Sequence, residues 1–114
     1  MKTLLVIPFL FVIAMSGAHA RSCGIDKALD RYEASDQTYQ DALPALKVIM
    51  LAEDDDSYMH CEVSELRRAV AFLDTVVQFI RDADQPMATQ EKAINEMRGS
   101  QRKIRRAIAM LNDN

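Results

Sequence analysis

The side chains that could do chemistry are few. They are two cysteines, Cys23 and Cys61; an aspartate run, Asp54–Asp56, close to Ser57 and His60; and five basic residues, Arg98, Arg102, Lys103, Arg105 and Arg106, crowded near the end of the chain. Two cysteines and one histidine beyond position 20 fall short of the four ligands a structural zinc site needs, so no metal is expected there. Counted from Asp54, Glu65 takes the twelfth place of a calcium loop, but Tyr58 holds the fifth position and Met59 stands where that loop requires glycine. Ser57, His60 and the aspartates contain the residue types of a hydrolase triad. No glycine elbow or strand-to-helix turn frames them, and no water-excluding cleft is implied. Catalysis and a cofactor are therefore not expected.

The basic cluster is the one unusual charge feature. Like charges four apart on a helix, as in Arg98/Arg102 and Arg102/Arg106, cost a few tenths of a kcal/mol per pair, so acidic groups are expected to offset them. Glu62 and Glu65 of an antiparallel neighbour are the internal candidates; an acidic partner protein or an anionic lipid surface is the external one. Arg98, Arg102, Arg105 and Arg106 are thus the candidate binding residues.

The elements that must carry these groups read as helices. Met59, Val63, Leu66, Val70, Leu73, Val77 and Ile80 recur at spacings of four and three, a coiled-coil-like seam held for three heptads. Ala69, Phe72, Val76 and Phe79 form a second stripe beside it. A face that wide packs against more than one neighbour, which implies a bundle. Ile94, Met97, Ile104, Ile108 and Leu111 repeat the pattern, interrupted by Gln101. Of the methionines, Met50, Met59, Met87, Met97 and Met110 lie beyond the leader, and most fall on seams, as adaptable core fillers do. No segment alternates as a strand does.

Pro44 complicates the first third. Inside a helix it removes a hydrogen bond and clashes with the preceding turn; in a first turn it is tolerated. With Asp41 as N-cap, the spacing predicts helices at about 24–40, 42–52, 57–83 and 87–112, with Asp54–Asp56 at the positive start of the third. Leu43–Ala52 has Lys47 as its only polar side chain and is expected to be surrounded. The fold class is all-α: a small antiparallel bundle of three long helices and one short helix after the Pro44 break.

Residues 1–20 read as a leader: Lys2, an apolar run from Leu4 to Ile13, then Ala18-His19-Ala20 before the cut. That run is shorter than the roughly 20 residues that span a bilayer, so cleavage and export to a periplasmic or extracellular location are expected, without stable membrane insertion. Residues 21–114 then form one domain of 94 residues with a net charge of −4. Its body to Pro86 holds 7 basic and 14 acidic side chains, and the remainder 6 and 3. This balance and location argue against nucleic acid as a partner.

Export favours an internal Cys23–Cys61 disulfide over pairing between chains, and the monomer over a linked dimer. A straight helix over 24–52 would be about 43 Å long and would hold the two cysteines apart, whereas a disulfide needs Cα atoms within about 7 Å. A break at Pro44 is expected to resolve the conflict, because the short second helix can then fold back and return the chain toward Cys23.

The function this predicts is binding of another protein, in the manner of an inhibitor, an immunity factor or an accessory chaperone. The alternatives are carriage of an apolar ligand between the helices along Leu43–Ala52, and a structural subunit that self-associates through Phe72, Val76 and Phe79.

Overall fold

The computed structural model describes residues 23–113; residues 1–20, expected to be a leader, lie outside them. Four α-helices make up the described chain: α1 (Ile25–Glu33), α2 (Tyr39–Asp54), α3 (Val63–Asp82) and α4 (Met87–Asn112), with a 3₁₀ turn at Ser57–His60. None is long and apolar enough to cross a membrane.

The chain turns back at Ala34–Thr38, not at Pro44. Gln37 adopts a left-handed conformation, φ 57°, and Thr38 begins α2 with a reciprocal cap. The Thr38 hydroxyl accepts from the Asp41 backbone N–H at 3.2 Å, and the Asp41 carboxylate accepts from the Thr38 N–H at 3.2 Å. Two orphan donors of the new helix are thereby satisfied. Asp41 is thus the third helical residue and not the N-cap, and its carboxyl pKa is lowered, first by the hydrogen bond from the Thr38 backbone. Pro44 lies inside α2, in its second turn, so the short helix is α1 with 9 residues and not α2 with 16.

Successive helices run antiparallel, which leaves α1 parallel to α3. The contacts climb in step: Cys23 joins Cys61 with Cα atoms 5.0 Å apart, Arg68 reaches Asp26, Asp30 and Glu33, and the rings of Tyr32 and Phe72 meet edge to face at 5.2 Å. Gly24 starts α1 with φ 87°, a left-handed backbone that favours glycine.

Both stripes of α3 are used. Leu66, Ala69, Phe72, Leu73, Val76 and Val77 are buried, while Val63, Val70, Phe79 and Ile80 lie at the margin. They meet Ile25 and Leu29 of α1, Ala42, Ala45 and Ile49 of α2, and Met97, Ile104 and Ala107 of α4. Three of the four buried residues of α2, Ala42, Ala45 and Ala52, are alanines. The expectation that Leu43–Ala52 is surrounded does not hold: Leu43 is 36% exposed and Leu51 50% exposed.

The aspartate run is also placed differently. Asp54 is the last residue of α2 and Asp55 its C-cap, so these charges sit at the negative end of α2; α3 begins only at Val63, after the 3₁₀ turn.

Candidate functional site

Four sets of side chains define what the surface offers. The first lies where α1 and α3 begin together. Two helix N-termini side by side put two positive dipole ends in contact, which is unfavourable unless an anion sits between them. Glu65 is that anion. Fully buried, its carboxylate accepts from the backbone N–H groups of Cys23 at 3.3 Å, Asp26 at 3.1 Å and Glu62 at 3.2 Å. It therefore caps both helices. Beside it Arg68 of α3 bridges the acidic ladder of α1, at 2.6 Å from Asp26, 3.0 Å from Glu33 and 3.1 Å from Asp30. The hydrogen bond to Asp26 is the chief cause that raises the guanidinium pKa above its ordinary value.

The second set is the basic cluster. Glu65, expected to offset it, accepts hydrogen bonds at the starts of α1 and α3. Arg98 instead pairs with Asp74 of α3 at 2.7 Å, and Lys103 with Glu53 of α2 at 3.0 Å. The buried Gln101, whose position reads as a flaw in the α4 seam, organises the first of these. Its amide donates to the Val70 carbonyl and to Asp74, both at 2.9 Å, and its oxygen accepts from Arg98 at 2.8 Å. Hydrogen bonds from Gln101 and then Arg98 hold the Asp74 carboxyl below the usual range. Burial works to raise the Glu53 carboxyl, but hydrogen bonds from Ser100 at 2.6 Å and from Lys103 prevail and lower it. Arg102, Arg105 and Arg106 are exposed and have no ion-pair partner among the described residues.

The third set is the hydrolase-like one. His60 is exposed at the end of the 3₁₀ turn, and no side-chain hydrogen bond joins its imidazole to Ser57 or to an aspartate among the described residues. The nearby Tyr58 is buried, its hydroxyl donating to the Ile49 carbonyl at 3.1 Å, and burial foremost pushes its pKa up. The described residues hold no group of acidic, histidine or cysteine side chains arranged to bind a metal ion.

The fourth is an apolar groove of about 370 Å³. At the disulfide end α2 and α4 are drawn together by Ser100, Lys103 and Glu53. Toward the other end they part, and the groove opens between them over α3. Tyr39 and Leu46 of α2 form one wall, Ala93 and Met97 of α4 the other, and Val76, Phe79 and Ile80 the floor; Asp82, Ala83 and Gln85 close the far end. Tyr39 is 44% exposed and stands over Phe79, ring centroids 5.9 Å apart.

Of the expected cavity lining, Leu46 alone comes from the Leu43–Ala52 segment. Of the Phe72/Val76/Phe79 stripe, Phe72 and Val76 are buried in the protein's own core, and Phe79 alone remains partly open. The groove itself was not legible in the sequence, because its large apolar residues fit a core pattern. What leaves Tyr39, Phe79 and Ile80 partly open is the gap between α2 and α4, which periodicity does not encode. No protein-family model, no curated protein and no solved structure matches this chain.

Proposed function

We propose that the protein is an exported binding protein, of inhibitor, immunity or accessory-chaperone type, that receives an amphipathic helical segment of a partner protein in the groove between α2 and α4. The observation that carries the reading is the parting of these helices over an apolar floor. From Val76 to Ala83 the floor runs seven residues, roughly 10 Å, the span of partner anchors at i, i+3 or i+4, and i+7. Met97 in the wall is a side chain that adapts to varied partners. The closed end carries Asp82 and the negative terminus of α3, so the segment that fits has a basic residue beside its apolar stripe.

The test uses the chain expressed with its leader and recovered after export. A photo-crosslinking residue at position 93 should join one partner, and the joined peptide, identified by mass spectrometry, should be amphipathic and helical. As a synthetic peptide it should bind the purified protein, and Ala93→Asp should remove that binding. A joined peptide without an apolar stripe, or binding unchanged in Ala93→Asp, would defeat the reading.

A second reading, carriage of a small apolar ligand, is favoured by the groove's volume, at the low end for small-molecule sites. Native mass spectrometry of the same material distinguishes the two. A bound lipid of defined mass that leaves in Ala93→Asp supports the carrier; its absence, with the peptide bound, supports docking.

A further inference from the structure

We infer that the outer face of the α3–α4 pair, on the side of α4 turned away from the groove, is a second docking surface, built to receive a carboxylate-rich segment of a protein. Three observations converge on it. First, helical spacing puts Arg98, Arg102 and Arg105 on one side of α4, spanning seven residues or roughly 10 Å, with Arg106 at its edge. Arg102 and Arg105 are exposed. Second, the antiparallel register adds a residue from α3. Gln101 reaches Val70, so Arg67, one turn before Val70, lies level with Arg105, one turn beyond Gln101. Arg67 is exposed and has no ion-pair partner among the described residues. Third, the carboxylate that meets this face, Asp74, is already engaged by Arg98 and Gln101, while the charge of Arg105 also acts on it. Among the described residues, the ion pair of Arg98 with Asp74 is the one salt bridge that the arginines of this face make.

Such crowding weakens an isolated helix, and carboxylates from outside relieve it. Arginine is suited to this because its planar fork holds a carboxylate in two hydrogen bonds. Asp26, Asp30 and Glu33 bind Arg68, and Glu53 binds Lys103 and Ser100, so these four carboxylates are engaged by other partners. An anionic lipid surface fits less well. Basic helices that lie on membranes insert apolar side chains beside their charges. Of the large exposed apolar residues, Tyr39, Leu43 and Leu51 lie on α2, Met87 lies eleven residues before Arg98 at the start of α4, and Met110 lies beyond the edge of this face. The fitting partner is an acidic helix or strand with carboxylates about two turns apart.

The exported full chain is titrated into a fluorescein-labelled helical peptide carrying glutamates at every third and fourth position. Anisotropy is read at low and at physiological salt. The peptide should bind, more weakly as salt rises, and Arg102→Glu with Arg105→Glu should reduce affinity about tenfold or more. Arg102→Gln with Arg105→Gln, which introduces no carboxylate, should give a smaller loss in the same direction. Lys27→Glu with Lys47→Glu makes the same change in net charge on α1 and α2 and should leave affinity within about twofold. Binding of the groove peptide should be unaffected by the arginine variants, so failure of one surface leaves the other standing. No binding at low salt overturns the inference, as does equal loss in the lysine variant. So does uptake on phosphatidylglycerol vesicles, absent on phosphatidylcholine vesicles, by a protein that ignores the peptide; the surface would then be a lipid site. Self-association abolished by the arginine variants, without peptide binding, would make the occupant a second copy.

Discussion

The carboxylate of Glu65, in the first turn of α3, accepts a 3.1 Å hydrogen bond from the backbone N–H of Asp26 in α1, so the start of one helix is capped from within another. The same group accepts from Cys23 and Glu62. Replacing Glu65 by Ala strands three N–H donors and removes the anion between two positive helix ends. The expected loss is about 2–4 kcal/mol, read by urea unfolding. Glu65→Gln keeps acceptor oxygen and should lose less. Equal losses in both would show that a neutral acceptor contributes nothing there, and a Gln variant at full stability would show that the charge is irrelevant.

Arg68 is more than a surface residue off the seam. A single exposed ion pair contributes about 0–1 kcal/mol, but this guanidinium screens three acids of α1 from one another. Arg68→Ala should therefore cost about 1 kcal/mol, less at high salt, where the repulsion it relieves is itself screened. With the disulfide reduced the loss should persist, because the contacts are independent of the thiols. Denaturant curves of both proteins, oxidised and reduced, check this.

The disulfide encloses 38 residues of sequence separation, which in the chain-entropy picture corresponds to about 4 kcal/mol. Reduction should lower stability by about 2–5 kcal/mol without releasing α1, since Glu65 and Arg68 still hold it. A native gel under reducing conditions should still show a folded monomer; unfolding on reduction would mean that the cross-link alone docks α1.

Pro44 sits in the second turn of α2, where its ring displaces an N–H that would bond the Gln40 carbonyl. Pro44→Ala should stabilise the protein by about 1 kcal/mol, the helical gain being partly offset by a freer unfolded chain. Thermal melts decide the sign. A destabilised variant would show that the bend supplied by proline matters to the packing of Ala42 and Ala45.

Acid should weaken the link between α4 and its neighbours. Asp74 and Glu53 have lowered carboxyl pKa values in the folded protein. The unfolded chain therefore binds protons first. Their contribution is complete above the ordinary carboxylate range and is lost as pH falls through the folded values. Asp74→Asn should flatten the acid limb of stability against pH measured by denaturant unfolding. An unchanged limb would assign the acid response to other groups.

The helices and the disulfide were legible because each has a local or pairwise signature. The α3 seam runs unbroken, and two cysteines leave one pairing. The position of the first turn was half legible. The polar run Ser35-Asp36-Gln37-Thr38 interrupts the seam, but Thr38-x-x-Asp41 uses aspartate where a capping box more often has glutamate, and Pro44 drew attention to the wrong turn. Glu65 and Arg68 were illegible as partners of α1. Their roles depend on α1 and α3 lying parallel, a relation between segments some 40 residues apart that no spacing rule conveys. Gln101 shows the same limit: a polar residue on a seam is a defect until the opposing carbonyl of Val70 is known.

The ties described between α1 and α3 all fall on residues 61–72: the Cys23–Cys61 bond, the Glu65 cap, the Arg68 bridge and the Tyr32–Phe72 ring contact. The groove end has none of these, and Phe79 and Ile80 there are only half covered. Local opening costs least where buried contacts are sparse. Amide hydrogens near residues 61–73 should thus exchange only on global unfolding, while those near 39–43 and 79–90 exchange through small excursions. The molecule is a clamp with a riveted base, whose jaws breathe without loosening the hinge.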